Sequence, residues 1–178
     1  MSNPTFDVIV VGAGSAGVPS AYYLSKRGLK VLVIECCAAP GQGQNKAAIG
    51  GIRATHSDPA KIVLCRRSLS EMTTWKERTG VDVGWKPGGY AYPVYDEPLE
   101  RTLRGLFPIQ RKWKLDIDWI DADAMAELIP GIERRELRGG TYSPGDGQLS
   151  SIKVPTAFER AAQALGAEFR FNERVTGY

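Results

Sequence analysis

The chain has 178 residues, 43% apolar and 24% charged, which is the size and composition of an ordinary globular domain and excludes disordered, collagen-like and disulfide-scaffold classes. Its formal charge of +3 is spread along the chain, so we expect no nucleic-acid partner. Cys36, Cys37 and Cys65 fit neither a zinc spacing nor a secreted disulfide framework, so we expect no metal and a cytoplasmic location. No apolar stretch is long enough to span a membrane.

The first 35 residues predict a βαβ unit. Residues 6–11 are a β-branched run typical of a strand buried on both faces of a parallel sheet. A glycine turn over 12–17 follows, then a helix to about Arg27 and a second buried strand over 30–35. A right-handed parallel crossover is the default for this order.

The rest of the chain does not continue the repetition of strand and helix. Residues 36–51 read as a long loop, a length that is often functional. Asp58 is the expected N-cap of a helix that begins at Pro59 and runs to about Arg78. The later elements are a β-hairpin of 81–86 and 90–95, a helix over 97–114 that Pro108 kinks or splits, a strand over 117–120, a helix over 121–129, a strand over 137–142, a helix over 155–165, and strands over 168–171 and 174–178.

The motif that carries chemistry is GxGxxG, formed by Gly12, Gly14 and Gly17. The first glycine permits the strand-to-helix turn, the second admits a pyrophosphate, and the third lets the helix pack closely on the strands. Glu35 ends the next strand, where an acid accepts hydrogen bonds from ribose hydroxyls. The pattern predicts a dinucleotide at the helix N-terminus, the alternative being a glycine turn without a ligand.

Three segments carry a family resemblance. Residues 7–35 resemble the FAD-binding signature of the D-amino-acid oxidase, glycine oxidase and sarcosine oxidase group, in which sarcosine oxidase β-subunits and dye-linked proline dehydrogenases are the most similar in pattern. Residues 45–53 look like that group's second loop, and 146–167 are similar to its later segment, in which Asp-Gly precedes a helix ending in Gly-Ala. The resemblance covers the whole chain but only the N-terminal part of the family's length, so we expect the chain to be truncated.

The resemblance implies an α/β fold: a Rossmann-like FAD-binding βαβ core with an inserted helix-and-β-hairpin portion of a substrate domain. The expected division is an FAD-binding segment over 1–80, the inserted portion over 81–142, and a return to the FAD-binding domain over 143–178.

The resemblance also assigns roles to particular residues. Glu35 would hold the ribose, and Cys36 stands where the family often has a basic residue. The other expected FAD contacts lie in the glycine turn, the second loop and the strand end: Gly12, Gly14, Ser15, Ala16, Gly17, Gln44, Asn45, Ile49, Gly50, Gly51 and Val175. Arg53 would clamp a substrate carboxylate, the alternative being a structural salt bridge. His56 is either a base or flavin contact or a structural residue.

The function implied is oxidation of the C–N bond of a small amine or amino acid by hydride transfer to FAD. No catalytic residue is identified, because the cofactor supplies the electron sink and the protein supplies orientation. One alternative is a catalytically incompetent nucleotide-binding fragment or subunit that needs its missing C-terminal half or a partner chain. A weaker alternative is an NAD-dependent dehydrogenase.

Overall fold

A computed structural model describes residues 5–177. The strands in chain order are β1 (Val8–Val11), β2 (Val31–Glu35), β3 (Gly51–Ile52), β4 (Lys86–Pro87), β5 (Tyr90–Val94), β6 (Asp118–Ile120), β7 (Gly139–Ser143), β8 (Gly147–Gln148) and β9 (Glu168–Phe171). The helices are α1 (Gly17–Ser25), α2 (Pro59–Thr73), α3 (Trp75–Thr79), α4 (Glu97–Lys112), α5 (Ala122–Leu128) and α6 (Lys153–Ala164), with a 3₁₀ turn over Gln44–Ala47. The architecture is α/β, as expected.

Contacts between Cα atoms divide the chain into two compact units. Unit 1 consists of Met1–Gly50, Gly80–Gly84 and Leu149–Tyr178, and unit 2 of Gly51–Thr79 and Trp85–Gln148. These bounds differ from the division expected from the sequence, which assigned 51–79 to the first segment and 143–148 to the return. The reason is that β8 pairs with both β3 and β4, so the segments on either side of 80–84 join unit 2.

The predicted βαβ unit is present in unit 1. Strands β1 and β2 are parallel neighbours, β9 adds to the other edge of β2 in parallel, and α1 connects β1 to β2. Helices α1 and α6 pack together, with the rings of Tyr22 and Phe158 edge to face at 5.4 Å between centroids.

The prediction that β1 is buried on both faces is wrong. Ile9 and Val11 are 57% and 66% exposed, whereas Val31, Leu32 and Val33 in β2 are buried. Because successive side chains of a strand point to opposite faces and α1 packs against β1, only alternate residues of this edge strand are sheltered.

Unit 2 contains two small antiparallel sheets, in the orders β3-β8-β4 and β5-β7-β6. The predicted hairpin is therefore wrong, because β4 pairs with β8 and β5 pairs with β7. The turn between β4 and β5 lies against the 143–147 turn instead. The Gly89 N–H donates to the Asp146 carbonyl at 2.9 Å, and a Cβ on Gly89 would lie 2.2 Å from the Tyr142 ring.

The helices of unit 2 follow the sequence more closely. Asp58 caps α2, since its carboxylate accepts a hydrogen bond from the Lys61 N–H at 2.9 Å. The expected single helix ends at Thr73, and α3 follows after Thr74. Pro108 does not split α4, which is one helix from Glu97 to Lys112. A core cluster of Ala54, Ile62, Leu69, Phe107, Leu115 and Ile117 holds these elements together.

The predicted strand over 174–178 is not observed over 174–177, and Tyr178 lies outside the described residues. Asn172 has a φ of +59°, which turns the chain after β9. The N–H groups of Asn172 and Glu173 then donate to the carbonyls of Cys37 and Glu35 at 3.0 and 3.1 Å. The end of the described chain is thereby fixed beside the end of β2.

Candidate cofactor site and polar pocket

The structure explains why two positions of the GxGxxG motif are glycine. Gly12 has a φ of +99°, a backbone conformation that other residues rarely adopt, and it ends β1. A Cβ on Gly17 would lie 1.9 Å from the Gly12 carbonyl oxygen, so any side chain there would separate α1 from the turn. Around Gly14 the nearest atom to a built Cβ is the Asn45 Oδ1 at 3.7 Å, which leaves ordinary van der Waals space.

The N-terminus of α1 is suited to an anion. Its N-cap, Ala16, supplies no side-chain cap, and no acidic residue lies in the first turn. Ser15 and Ala16 are exposed. Because the first N–H groups of a helix lack intrahelical acceptors and carry partial positive charge, this end favours a phosphate group.

Glu35 reaches the glycine turn. Its Oε2 accepts a hydrogen bond from the Ala13 N–H at 2.6 Å, and its Oε1 accepts one from the Cys37 N–H at 2.8 Å. Burial alone would raise the pKa of Glu35, but these hydrogen bonds outweigh it and hold the pKa below its ordinary value. The carboxylate is therefore ionised at neutral pH and fixed at the turn, ready to accept from hydroxyl groups.

The two cysteines after Glu35 lie at the same strand end. Cys36 is exposed and Cys37 half-buried, and both are free thiols. The Cys36 Sγ lies 3.4 Å from the Glu35 Oε1, and one ligand atom from each of the three residues lies within 4.8 Å of the others. The pKa of Cys37 is raised, first by its hydrogen bond with Glu35. Cys36 thus adjoins Glu35 and brings no positive charge to this strand end.

The second loop contributes Asn45 to the turn. The Ser15 N–H donates to the Asn45 Oδ1 at 3.3 Å, and the Asn45 Nδ2 donates to the Ser151 carbonyl at 3.2 Å. The neighbouring Gln44 is exposed and opens the 3₁₀ turn. Asn45 is therefore brought to the N-terminus of α1, whereas no hydrogen bond joins Gln44 to the turn within residues 5–177.

The glycine pair of the loop divides between the units. Gly50, in unit 1, has a φ of +82°, and its carbonyl accepts a hydrogen bond from the Leu149 N–H at 3.0 Å. In unit 2, a Cβ on Gly51 would lie 3.3 Å from the Tyr90 ring. Ile49 is 85% exposed. Backbone conformation and packing thus account for both glycines.

Val175 lies four residues beyond β9 in a segment without regular structure and is 38% exposed. The hydrogen bonds of Asn172 and Glu173 described above keep the start of this segment beside β2. The predicted adenine-side residue therefore follows two residues after Glu173, whose N–H donates to the Glu35 carbonyl.

These features fit FAD. A turn with positive φ, a close helix packing, an uncapped helix N-terminus and an ionised acid at the next strand end are the four parts that bind an adenine dinucleotide. Gly12, Gly14, Ser15, Gly17, Glu35 and Asn45 meet around the turn in unit 1. These residues would hold the diphosphate and ribose.

Unit 2 contains a polar pocket of about 260 Å³, lined by Arg53, Thr55, His56, Ser57, Tyr92, Leu103, Leu106, Gln110, Ile117 and Thr141. The Arg53 guanidinium stacks over Tyr90 and Tyr92, with its Cζ 5.7 and 5.6 Å from the ring centroids. It also donates to the Thr55 carbonyl. Arg53 makes no salt bridge among residues 5–177, so its charge is held in position by aromatic rings and backbone rather than by a carboxylate partner.

The segment that carries Arg53 is fixed by Asp146, which is 2% exposed. Its Oδ1 accepts a hydrogen bond from the Ala54 N–H at 2.9 Å. Burial raises the pKa of Asp146, while the Ala54 hydrogen bond, the Ser143 and Thr55 side chains and the charge of Arg53 act in the opposite direction. Asp146 was part of the sequence resemblance, but its role as an anchor of residues 53–55 depends on the tertiary fold.

His56 and Tyr92 are uncharged members of the pocket wall at neutral pH. Burial, and then the positive charges of Arg53 and Lys61, lower the pKa of His56. Burial raises the pKa of Tyr92, with Arg53 opposing it. The positive charge that a ligand meets here therefore comes from Arg53.

Sequence reasoning missed most of this wall. Gln110 is 4% exposed, and its Nε2 donates to the His56 carbonyl at 3.3 Å. Tyr92 and Thr141 are directly paired residues of β5 and β7. The sequence offers only a glutamine on the amphipathic helix α4 as a signal for this wall, and it belongs to no motif.

The family model described as DAO, FAD dependent oxidoreductase, matches residues 7–178. Monomeric sarcosine oxidase of Streptomyces avermitilis is 29% identical over 98% of this chain and 45% of its own length. Glycine oxidase of Geobacillus kaustophilus is 29% identical over 91% of this chain and 45% of its own length.

Among solved structures, L-proline dehydrogenase from P. horikoshii superposes with a TM-score of 0.92 at 28% identity, covering 99% of this chain and 46% of that one. The chain thus spans just under half the length of each of these three proteins. Within residues 5–177, no helix is both long and apolar enough to cross a membrane. The match over 7–178 shows that the chain belongs to the DAO family of FAD-dependent oxidoreductases, with FAD and not NAD as its cofactor.

Proposed function

We propose that this chain provides the FAD-binding unit, and part of the substrate-binding unit, of an enzyme that oxidises the C–N bond of a small amino acid or amine. The observation that carries the proposal is the combination of an FAD turn in unit 1 with a pocket in unit 2 whose charged group is Arg53. The names of the relatives, which include sarcosine oxidase, glycine oxidase and L-proline dehydrogenase, support an amino-acid substrate.

Unit 1 supplies cofactor binding. The N-terminus of α1 accepts the diphosphate, and Glu35 accepts hydrogen bonds from the ribose hydroxyls. Bound FAD supplies the acceptor for the hydride of the amine-bearing carbon. We also retain Gln44, Ile49, Gly50 and Val175 as proposed cofactor contacts, supported by the family match over this part of the chain.

Unit 2 supplies substrate orientation. Arg53 has a fixed guanidinium with no salt-bridge partner in the described chain, and a guanidinium binds a carboxylate through two parallel hydrogen bonds. Neutral His56 and protonated Tyr92 add no competing charge. With the carboxylate fixed, the orientation of the amine-bearing carbon is restricted, which is the protein's main contribution to such a reaction.

The test is flavin reduction by the full chain loaded with FAD in the absence of oxygen. Addition of small amino acids should bleach the oxidised flavin absorbance, and Arg53→Met should raise the amino-acid concentration needed at least tenfold. Arg101→Met, which changes a 78%-exposed arginine of the same unit, is the matched control and should behave as the unmodified chain. Bleaching that is equally sensitive to both substitutions would contradict a substrate role for Arg53.

A second candidate is a cofactor-binding module that turns over only together with further polypeptide, either the remaining half of the protein or a partner chain. The chain spans 45% of the length of the sarcosine oxidase and of the glycine oxidase named above, which supports this candidate. Flavin bleaching by the chain alone would exclude this candidate. FAD binding without bleaching, restored by addition of the remaining polypeptide, would support it.

We further propose a cytoplasmic setting, supported by the free thiols of Cys36, Cys37 and Cys65. Mass spectrometry of the protein from its native cells, alkylated on lysis, should find all three cysteines reduced.

A further inference from the structure

Gln110 and Thr55 each bring to the wall of the unit 2 pocket a buried side-chain oxygen that is unpaired among the described residues. The Gln110 oxygen can only accept a hydrogen bond, whereas a threonine hydroxyl can donate or accept, so Gln110 is the more specific of the two. The Gln110 side chain is oriented by the hydrogen bond that its Nε2 donates to the His56 carbonyl. The other polar atom of the amide is Oε1, which can only accept a hydrogen bond. That Oε1 atom is buried and has no hydrogen-bond partner within residues 5–177. Buried acceptors in native proteins are almost always paired, so an unpaired one in a pocket wall calls for a donor.

The rest of the wall limits what that donor can belong to. Arg53 contributes a positive charge, and Leu103, Leu106 and Ile117 contribute an apolar surface. At about 260 Å³ the pocket lies below the roughly 300–1,000 Å³ of sites for drug-sized ligands, so the ligand is compact. An anionic group, an N–H or O–H donor and a short apolar body are all present in a small α-amino acid.

We propose that the Gln110 Oε1 accepts a hydrogen bond from the amine N–H of a small amino acid whose carboxylate is bound by Arg53. The inference rests on the proposed function and extends it, because it makes Gln110 the residue that selects amines over other carboxylates. Gln110 is a specificity-determining residue, with no proton transferred to or from it. The apolar surface of Leu103, Leu106 and Ile117 receives the carbon substituents.

The experiment measures binding to the full chain without FAD, by isothermal titration calorimetry. The probes are N-methylglycine and butanoate. They share their chain length and carboxylate, but at neutral pH the first carries NH2+ where the second carries CH2. We expect the unmodified chain to bind N-methylglycine about tenfold more tightly, because one hydrogen bond to a charged donor is worth about that factor. In Gln110→Met the ratio should fall to near one, mainly through loss of N-methylglycine binding.

Two further variants separate selectivity from a structural role. Gln110→Glu keeps an acceptor oxygen and should keep the preference for the amine. Gln163→Met makes the same change on α6 in unit 1, where Gln163 interacts with Glu159, and should leave the ratio unchanged. A role in packing alone would weaken both probes equally in both Gln110 variants, and thermal melts of each variant identify any that fails to fold.

Several outcomes overturn the inference. Equal binding of the two probes by the unmodified chain would mean that water satisfies the Gln110 oxygen. A ratio unchanged in Gln110→Met would assign the preference to another group. If neither probe binds, the pocket is not a site for small amino acids and the inference fails. FAD binding and flavin bleaching are measured separately, and their failure would count against the proposed function and not against the role of Gln110.

Discussion

The glycine turn of unit 1 and the pocket of unit 2 are built in different ways. The turn comes from residues 12–17 with Glu35 and Asn45, and its geometry is mostly backbone: one positive φ, one close approach and several N–H groups. The pocket takes its wall from five separate segments between Arg53 and Thr141, and its geometry is side-chain packing. The difference shows that a site formed by the backbone can be predicted from a short sequence motif. A site formed by side chains from distant segments can be recognised only in the folded structure.

The largest effect is expected when a methyl group is added to the glycine turn of unit 1. Gly17→Ala should destabilise the chain by roughly 3 kcal/mol or more and abolish FAD binding, because the new Cβ would lie 1.9 Å from the Gly12 oxygen. Chemical denaturation and FAD titration measure the two effects. Gly43→Ala is the matched control in the same unit, since a Cβ there meets nothing within 4 Å; an equal loss in both variants would contradict the steric argument.

In unit 2 the corresponding change removes the Asp146 anchor. Asp146→Ala should cost about 1–3 kcal/mol, because it leaves the buried Ala54 N–H without an acceptor, and it should weaken amino-acid binding through Arg53. Asp146→Asn keeps an acceptor oxygen and should lose much less. If both variants lose the same stability in urea denaturation, the hydrogen bond is not what fixes residues 53–55.

The pH dependence of stability, compared between the unmodified chain and Asp146→Asn, tests the state of the buried Asp146 carboxyl. The pKa of Asp146 is raised in the folded protein, so the folded state holds this proton more tightly than the unfolded state does. The stability of the unmodified chain relative to Asp146→Asn should therefore fall as pH rises from the unfolded value of 3.8 through the raised pKa, and then stay constant. A relative stability that rises over this window would contradict the assigned direction.

A smaller effect is expected when the charge of Glu35 is removed. Glu35→Gln should weaken FAD binding about tenfold, because a charged acceptor is lost at the ribose. The pKa of Glu35 is lowered in the folded state, so its contribution to stability is present above the unfolded value of 4.5 and lost as pH falls through the folded pKa. Glu168→Gln, on β9, should change FAD affinity little, and an equal loss there would contradict a specific role for Glu35.

The smallest expected effect concerns Asn45. Asn45→Asp keeps an acceptor for the Ser15 N–H but adds a negative charge where the diphosphate is proposed to bind. FAD affinity should fall several-fold at low salt and recover as salt screens the charge. Gln163→Glu adds the same charge on α6 and serves as the control. An affinity that does not depend on salt in Asn45→Asp would contradict the placement of the diphosphate.

The same difference between backbone and side-chain sites explains which features could be predicted from the sequence. The βαβ unit, the turn and Glu35 were predictable, because strand periodicity, glycine conformation and a fixed spacing are local properties. The hairpin prediction failed because local turn signals around Gly88 and Gly89 do not reveal that β4 and β5 join different sheets. The exposure of Ile9 and Val11 was missed because burial depends on what covers a sheet.

Arg53 and Gln110 show the same contrast between local and tertiary information. Arg53 could be singled out from the loop that resembles the family's, where it stands two residues after the glycine pair, and the structure places it in the pocket wall. Gln110 could not be predicted, because its significance arises only where α4 packs beside His56 and leaves an acceptor unpaired. A polar residue on a helix is ordinary in a sequence and becomes informative when the structure shows it buried.

The central claim is that the N-terminus of α1 and Glu35 bind the adenine dinucleotide. Amide NMR spectra of the ¹⁵N-labelled chain, recorded as FAD is added, test it most directly and detect weak binding as well as strong. The account predicts saturable shifts of the Ser15, Ala16 and Gly17 amides, absent in Gly17→Ala and reduced in Glu35→Gln. Saturable shifts that leave these three amides unchanged would contradict it.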